Sequence, residues 1–152
     1  MKRFRFRLQK YLDLKRQEEG LQRIYLAEAQ QSYQKQLEIM ESIRRKFHSA
    51  LEQMRQSLIG EVDPIFIGII GCFLEYQKAQ EIQQEAVLKE ARAELERRQL
   101  EVLKVQKERK LLERLYTRRW QAYYQEFLRE EQRNIDEVGL ISFFRKQEEP
   151  FQ

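Results

Sequence analysis

Apolar residues recur every three or four positions along two long stretches of this chain. This spacing places them on one face of a helix, and over many turns it is typical of a coiled-coil seam. The first stripe consists of Leu37, Met40, Phe47, Leu51, Met54 and Leu58. The second consists of Leu88, Ala91, Leu95, Val102, Val105, Leu112, Tyr116 and Tyr123, interrupted by Arg98, Arg109 and Arg119. The pattern predicts two long helices that pack along a narrow seam.

One strong break separates the two stretches, the segment GEVDP at residues 60–64. Gly60 suits a helix C-terminus, Asp63 an N-cap and Pro64 the first position of the next helix. A connection this short between long helices predicts an antiparallel hairpin.

The predicted fold class is all-α: an elongated antiparallel two-helix coiled-coil hairpin, with helix 2 longer than helix 1. It forms one domain, residues 1–152, with helix 1 at about 8–59, the turn at 60–64 and helix 2 at about 65–144.

The position of the turn predicts which residues face each other. If the chain reverses near residue 62, residue i of helix 1 faces roughly residue 124 minus i of helix 2. The expected pairs are Leu58 with Phe66, Met54 with Ile70, Leu51 with Phe73 and Phe4 with Trp120. Residues after about 124 have no partner in this register, so helix 2 should extend beyond helix 1.

The run IFIGIIGCFL at residues 65–74 carries no charge in a chain that is 36 % charged. A membrane-spanning helix needs about 20 apolar residues, so this run is too short to be one. One face belongs to the seam, yet the run holds more apolar residues than one stripe accommodates. Two interpretations stay open: an exposed docking surface near the turn, or a thicker local core.

Composition agrees with long helices, because the 152 residues include only 5 glycines and 2 prolines. Basic and acidic residues are interleaved and the net charge is only +4, which argues against a general polyanion binder. The single cysteine, Cys72, allows no internal disulfide and fits a reducing cytosol. The basic start MKRFRFRLQK lacks the uninterrupted apolar core of a signal peptide.

No constellation for catalysis or metal binding is evident in the sequence. The single histidine, His48, has only Cys72 as a possible companion ligand, and a metal site needs several. Phosphate loops, nucleophile elbows and dinucleotide fingerprints are missing. We therefore predict no enzymatic activity, no metal and no cofactor.

The predicted open end of the hairpin, called here the basic end, concentrates cations and aromatic rings. Its cations are Lys2, Arg3, Arg5, Arg7, Lys10, Lys15, Arg16, Lys107, Arg109, Lys110, Arg114, Arg118 and Arg119. Its rings are Phe4, Phe6, Tyr11, Tyr116, Trp120, Tyr123 and Tyr124. Such an end fits an acidic protein cavity, a nucleic acid, or a local aromatic core with solvated charges. The acidic segment EFLREEQ beyond it would repel a phosphate backbone and disfavours nucleic acid.

Both ends of the chain resemble the bacterial flagellar FliJ family. FRFRLQKYLDLKRQEE, at 4–19, has an aromatic and basic start followed by Leu-Gln-Lys and Leu-Asp-Leu. LLERLYTRRWQAYYQEFLREEQRNIDEVGLISFFRK, at 111–146, has Glu-x-Leu, a Tyr-rich turn, a Glu-Gln-basic step and Asp-Glu before a Phe-basic segment. The matching residues at the start are Phe4, Arg5, Phe6, Arg7, Leu8, Lys10, Leu12, Asp13 and Leu14. Those at the end are Glu113, Leu115, Tyr124, Glu131, Gln132, Asp136, Glu137 and Phe144.

The resemblance implies a cytosolic, non-enzymatic stalk and chaperone escort of the flagellar type III export apparatus. Such a protein inserts its terminal end into the hexameric export ATPase, promotes its activity and links it to the export gate. It lies at the inner face of the cell membrane without insertion, and the acidic segment EFLREEQ separately predicts that the chain binds no nucleic acid. The residues implied to bind the ATPase are Phe4, Arg5, Phe6, Arg7, Lys10, Glu113, Arg118, Arg119, Trp120, Tyr124, Glu131, Asp136 and Glu137.

A second set is predicted to dock the export gate or another partner: Phe47, Leu51, Ile67, Ile69, Phe73 and Tyr76. Phe73 is the plausible equivalent of the phenylalanine in the family's Tyr-Gln-Gln-Phe-like stretch, but apolar residues replace the polar ones before it. Three alternatives remain: the stalk of a virulence-type injectisome, a structural coiled coil that oligomerises through its unpaired helix, and a nucleic-acid-binding hairpin.

Overall fold

The computed structural model describes residues 3–148, with side chains through residue 145. It contains two helices, α1 (Gln9–Ser57) and the longer α2 (Pro64–Glu148), and the described residues include no strand. The chain forms two compact units. Unit 1 combines the N-terminal residues through Gln17 with α2 from Val105 onward, and unit 2 spans Glu18–Lys104. The predicted all-α class with two helices packed on each other is confirmed.

Polar contacts between the two helices agree with an antiparallel arrangement within each unit. In unit 1, Lys15 Nζ lies 2.7 Å from Glu108 Oε2. In unit 2, Arg44 Nε donates a hydrogen bond to Glu81 Oε1 at 2.8 Å. The expected correspondence places Lys15 opposite residue 109 and Arg44 opposite residue 80, roughly one position away in each case. The position of the turn therefore predicts the register to within about five positions, since Arg16 contacts Glu113 and Gln36 contacts Gln84.

The seam is narrow, as the heptad pattern predicts, and few of its side chains are fully buried. The buried apolar residues are Leu12, Ala29, Met40 and Ala50 of α1 and Ile70, Val102 and Val105 of α2. One predicted seam residue, Leu58, is instead 55 % exposed, because α1 ends at Ser57 and Leu58 belongs to the turn. Because so few side chains bury apolar surface, each of them contributes a large share of the free energy of folding.

Polar residues also occupy the seam. Gln84 Nε2 donates hydrogen bonds to the Gln36 side-chain and backbone oxygens, at 2.7 and 3.1 Å. Glu19 and Gln77 are each only 5 % exposed. Glu19 accepts a hydrogen bond from Arg23 at 2.7 Å, whereas Gln77 Oε1 has no hydrogen-bond partner among the described residues. Buried polar groups in a coiled coil favour one register at some cost in stability.

The turn confirms the predicted roles of Asp63 and Pro64, whereas Gly60 lies three residues beyond the end of α1 at Ser57. Gly60 has φ of 97°, a left-handed conformation that disfavours a side chain. Asp63 Oδ1 accepts a hydrogen bond from the backbone N–H of Ile65 at 2.9 Å, and Pro64 is the first residue of α2. The cap and the glycine together define where the chain reverses.

Gly60→Ala is expected to lower the free energy of unfolding by about 1–2 kcal/mol, because an L side chain is strained at this φ. Gly68→Ala is the matched control, because this glycine is helical and a methyl group there would meet no neighbouring side chain within 4 Å. That substitution should stabilise by about 0.5–1 kcal/mol. Urea denaturation followed by circular dichroism measures both. If both substitutions changed the free energy of unfolding in the same direction, the left-handed conformation of Gly60 would not explain its effect.

The rotation of α2 just after the turn differs from the expected pairing. Ile70 is buried and Ile67 is half-buried against α1, whereas Phe66 and Phe73 are 43 % and 41 % exposed. The seam residues keep heptad phase with the buried Gln77, while each phenylalanine lies one position away, about 100° around the helix, from a seam position. The structure therefore places Phe66 and Phe73 beside the seam, whereas the expected pairs with Leu58 and Leu51 placed them within it. Among the described residues, no helix is long and apolar enough to cross a membrane.

Candidate functional site

The residues before α1 form a short segment, residues 3–8, that packs on α2 and is called here the strap. Its Phe4 ring lies 5.7 Å from the Tyr116 ring and 5.3 Å from the Tyr123 ring, measured between centroids. Its Phe6 ring lies 5.2 Å from Tyr116 in an edge-to-face arrangement. Each such pair contributes about 0.5–1.5 kcal/mol beyond burial. The strap is thus fastened to α2 by an aromatic cluster.

Burial alternates along the strap. Phe4 and Phe6 are half-buried, whereas Arg5 and Arg7 are exposed. Lys10, in the first turn of α1, is exposed as well. The local aromatic core and the solvated charges expected at the basic end therefore coexist: the rings anchor the strap and the cations face solvent.

A second aromatic group follows along α2. Trp120 stacks on Tyr124 at 5.1 Å with 6° between the planes, and Tyr124 stacks on Phe127 at 6.5 Å. Trp120 and Tyr124 are 43 % and 44 % exposed. The expected contact of Phe4 with Trp120 is wrong, because Phe4 lies before α1 and does not follow the helical register. The stack is instead open to solvent.

Glu113 lies inside an ion-pair network within unit 1. It accepts hydrogen bonds from Arg109 Nη1 at 2.6 Å and from Arg16 Nη2 of α1 at 3.2 Å. Burial raises the pKa of its carboxyl, but the two arginines together outweigh this, and the pKa lies below its ordinary value. Glu113 is therefore ionised and links α2 to α1. The two arginines balance its negative charge.

The remaining residues implied to bind the ATPase all lie on α2. Arg118 and Arg119 are exposed, as are Glu131, Asp136 and Glu137 further along the helix. Every described side chain from residue 124 to 145 is exposed. The structure thus brings Phe4, Phe6 and Glu113 into packed positions and leaves the other members of the set at the surface.

The second predicted set divides into two layers. Phe47, Leu51 and Ile67 are half-buried in the seam of unit 2. Ile69, Phe73 and Tyr76 are exposed by 62 %, 41 % and 57 %. Only the second layer is available to a partner.

The described residues include one histidine, His48, one cysteine, Cys72, and many carboxylates. No group of three His, Cys, Asp or Glu side chains among them is placed to hold a metal ion. Cys72 is exposed. The space between the strap and α2, about 590 Å³, is lined by Phe4, Arg5, Arg119, Tyr123 and Glu126 among others.

Comparison with known proteins agrees with these features. The family model described as flagellar FliJ protein matches residues 4–148. The solved structure of CT670 from Chlamydia trachomatis, described as a putative YscO homologue, superimposes with a TM-score of 0.61 at 20 % identity. It covers 97 % of this chain and 100 % of its own, and at that identity the likeness shows a shared fold. No curated protein sequence matches. Because the family model spans nearly the whole sequence, the chain belongs to the flagellar FliJ protein family.

Proposed function

We propose that this chain is a non-enzymatic stalk and escort protein of type III protein export whose basic end enters the hexameric export ATPase and raises its activity. Membership of the FliJ family supports the assignment to type III export. The contact with the ATPase is supported by the geometry of the basic end.

The strap is the observation that carries the proposal. Phe4 and Phe6 fasten it to Tyr116 and Tyr123, so that Arg5 and Arg7 are held outward at a fixed place. Because the strap backbone is already ordered, these cations meet a partner with less loss of conformational entropy than cations on a disordered segment would. An acidic cavity attracts them during encounter and favours one orientation of entry.

The exposed part of α2 supports the same contact. From Tyr124 to Arg145 every described side chain is exposed, and the stacked rings of Trp120 and Tyr124 are open. Large exposed apolar groups on a charged helix are typical of a surface that a partner covers. Arg118 and Arg119 provide cations beside the rings, and Glu131, Asp136 and Glu137 provide carboxylates further along.

The proposal also includes a link to the export gate through Ile69, Phe73 and Tyr76, with Phe47, Leu51 and Ile67 supporting them from the seam. In this role the protein works in the cytoplasm at the inner face of the cell membrane and also meets export chaperones.

Addition of this chain to the cognate export ATPase is expected to raise ATP hydrolysis and to shift the ATPase toward its hexamer. Phosphate release and analytical ultracentrifugation measure the two effects. Circular dichroism of the added chain confirms that it is folded. No stimulation by a folded chain, together with stable self-association, would favour a structural coiled coil. Because the fold is shared with a putative YscO homologue, stimulation of a virulence-type ATPase alone would assign the stalk to that system.

A further inference from the structure

Residues 107–118 of α2, within unit 1, carry their negative and positive charges on different faces. Both acidic residues of this stretch contact α1. Glu108 Oε2 lies 2.7 Å from Lys15 Nζ. Glu113 Oε1 accepts a hydrogen bond from Arg16 Nη2 at 3.2 Å. The carboxylates of the stretch therefore balance cations of α1 and leave its other cations without a counter-charge.

These other cations lie on the side of α2 that faces away from α1, called here the outer face. Lys107 lies two residues, or about 200°, beyond the buried Val105, and Arg114 follows one heptad later in the same direction. Within the described part of the chain, none of the four cations of this face forms an ion pair or a hydrogen bond. The exposed residues of the outer face are Lys107, Lys110, Leu111, Arg114, Leu115 and Arg118.

Apolar side chains stand among the cations of the outer face. Leu111 and Leu115 are 64 % and 38 % exposed. A space of about 910 Å³ over this face is lined by residues of α2 alone, so that neither α1 nor the strap contributes to it. Its one acidic lining residue is Glu113, whose charge is balanced by Arg16 and Arg109. The outer face is thus positive, partly apolar and open along about 17 Å of helix.

The shape and chemistry of the outer face fit an anionic lipid surface. A single helix presents a convex face, whereas a partner helix docks into a groove. Lysines and arginines with exposed leucines between them are the combination by which a helix lies at the headgroup level of an anionic bilayer. A nucleic acid would offer phosphates to the cations but no apolar region to Leu111.

We propose that the outer face of α2 binds directly to anionic phospholipids. Lys107, Lys110 and Arg114 contact the headgroup phosphates, and Leu111 reaches the boundary between headgroups and acyl chains. Each Lys or Arg near such a surface strengthens binding about fivefold, and salt weakens the attraction by screening it. The inference rests on the proposed function only for the source of the lipid, the inner face of the cell membrane, and it requires no ATPase.

Co-sedimentation of the full chain with lipid vesicles tests the proposal. Vesicles of phosphatidylcholine with one third phosphatidylglycerol are expected to bind the chain, and vesicles of phosphatidylcholine alone are not. The triple variant Lys107→Gln, Lys110→Gln and Arg114→Gln is expected to bind the anionic vesicles about 100-fold more weakly, because three cations are lost. Glutamine favours helix nearly as well as lysine and arginine, and circular dichroism confirms the helical content.

Matched controls separate the outer face from net charge and from general hydrophobicity. Lys35→Gln, Lys78→Gln and Lys89→Gln together remove the same charge from exposed lysines of unit 2 and should leave vesicle binding within a few-fold of the unchanged chain.

Leu111→Gln is expected to weaken vesicle binding about tenfold, because its apolar surface no longer leaves water. Ile82→Gln changes a side chain of unit 2 that is also 64 % exposed, and it should bind as the unchanged chain does.

Absence of the folded chain from the anionic vesicles, or an equal loss of binding in the two triple variants, would overturn the proposal. Tighter binding to a duplex DNA oligonucleotide than to the vesicles, unaffected by Leu111→Gln, would make the outer face a polyanion site and would overturn it as well. ATPase stimulation is measured separately. Vesicle binding by a chain that fails to stimulate would leave this inference standing, whereas stimulation by a chain that ignores anionic vesicles would remove this inference alone.

Discussion

The triple variant Arg5→Glu, Arg7→Glu and Lys10→Glu is expected to lose stimulation of the export ATPase while keeping its helical content. All three side chains are exposed, and the rings that hold the strap are unchanged. Exposed substitutions of this kind change stability by about 0.5 kcal/mol or less. Complementary charge accelerates association by roughly 10- to 1000-fold, and reversal replaces that attraction with repulsion. ATP hydrolysis measured against added chain gives the result directly.

The matched control reverses the same number of charges elsewhere. Lys35→Glu, Lys78→Glu and Lys89→Glu change three exposed lysines of unit 2 and give the same change in net charge. This control should stimulate the ATPase as the unchanged chain does. Full stimulation by the folded strap variant would show that the strap cations do not contact the ATPase. Equal loss in both variants would assign the effect to net charge.

The fold was predictable where its signals are local. A glycine, a capping aspartate and a proline within five residues mark the turn, and heptad spacing marks the helices on either side. Once the point of reversal is known, the register of an antiparallel pair follows by counting. The contacts of Lys15 with Glu108 and Arg44 with Glu81 agree with that count.

The rotation of α2 was not predictable, because residues 65–74 present two equivalent choices. Ile67 with Ile70 and Phe66 with Phe73 both have helical spacing, and hydrophobicity alone does not rank them. The structure selects the stripe that stays in phase with Gln77, seven residues after Ile70. A glutamine at that position gave no apolar signal, so sequence reasoning missed it. The buried Glu19, seven residues after Leu12, was missed for the same reason.

The basic end was predictable in composition but only partly in arrangement. Its cations and rings are close together in the sequence near each end of the hairpin. The hairpin fold was therefore sufficient to predict that they cluster. The rings that contact Phe4 could not be predicted by counting, because the strap lies before Gln9 and has no helical register. Glu113 looked like one more exposed carboxylate in the sequence. Its role as a link between Arg109 and Arg16 depends on the distance between helices, which only the structure supplies.

Leu12→Ala is expected to lower the free energy of unfolding of unit 1 by about 2–4 kcal/mol, as truncation of a fully buried leucine leaves a cavity. Leu12 is 2 % exposed, whereas Leu14 of the same Leu-Asp-Leu motif is 55 % exposed. Leu14→Ala is thus the matched control and should change stability by about 0.5 kcal/mol or less, since alanine also favours helix. Hydrogen exchange of the first turns of α1 reports on the local effect, and urea denaturation on the whole chain. Equal losses for the two leucines would mean that the N-terminal part of α1 does not pack on α2 through Leu12 in solution, and the strap would then lack a fixed base.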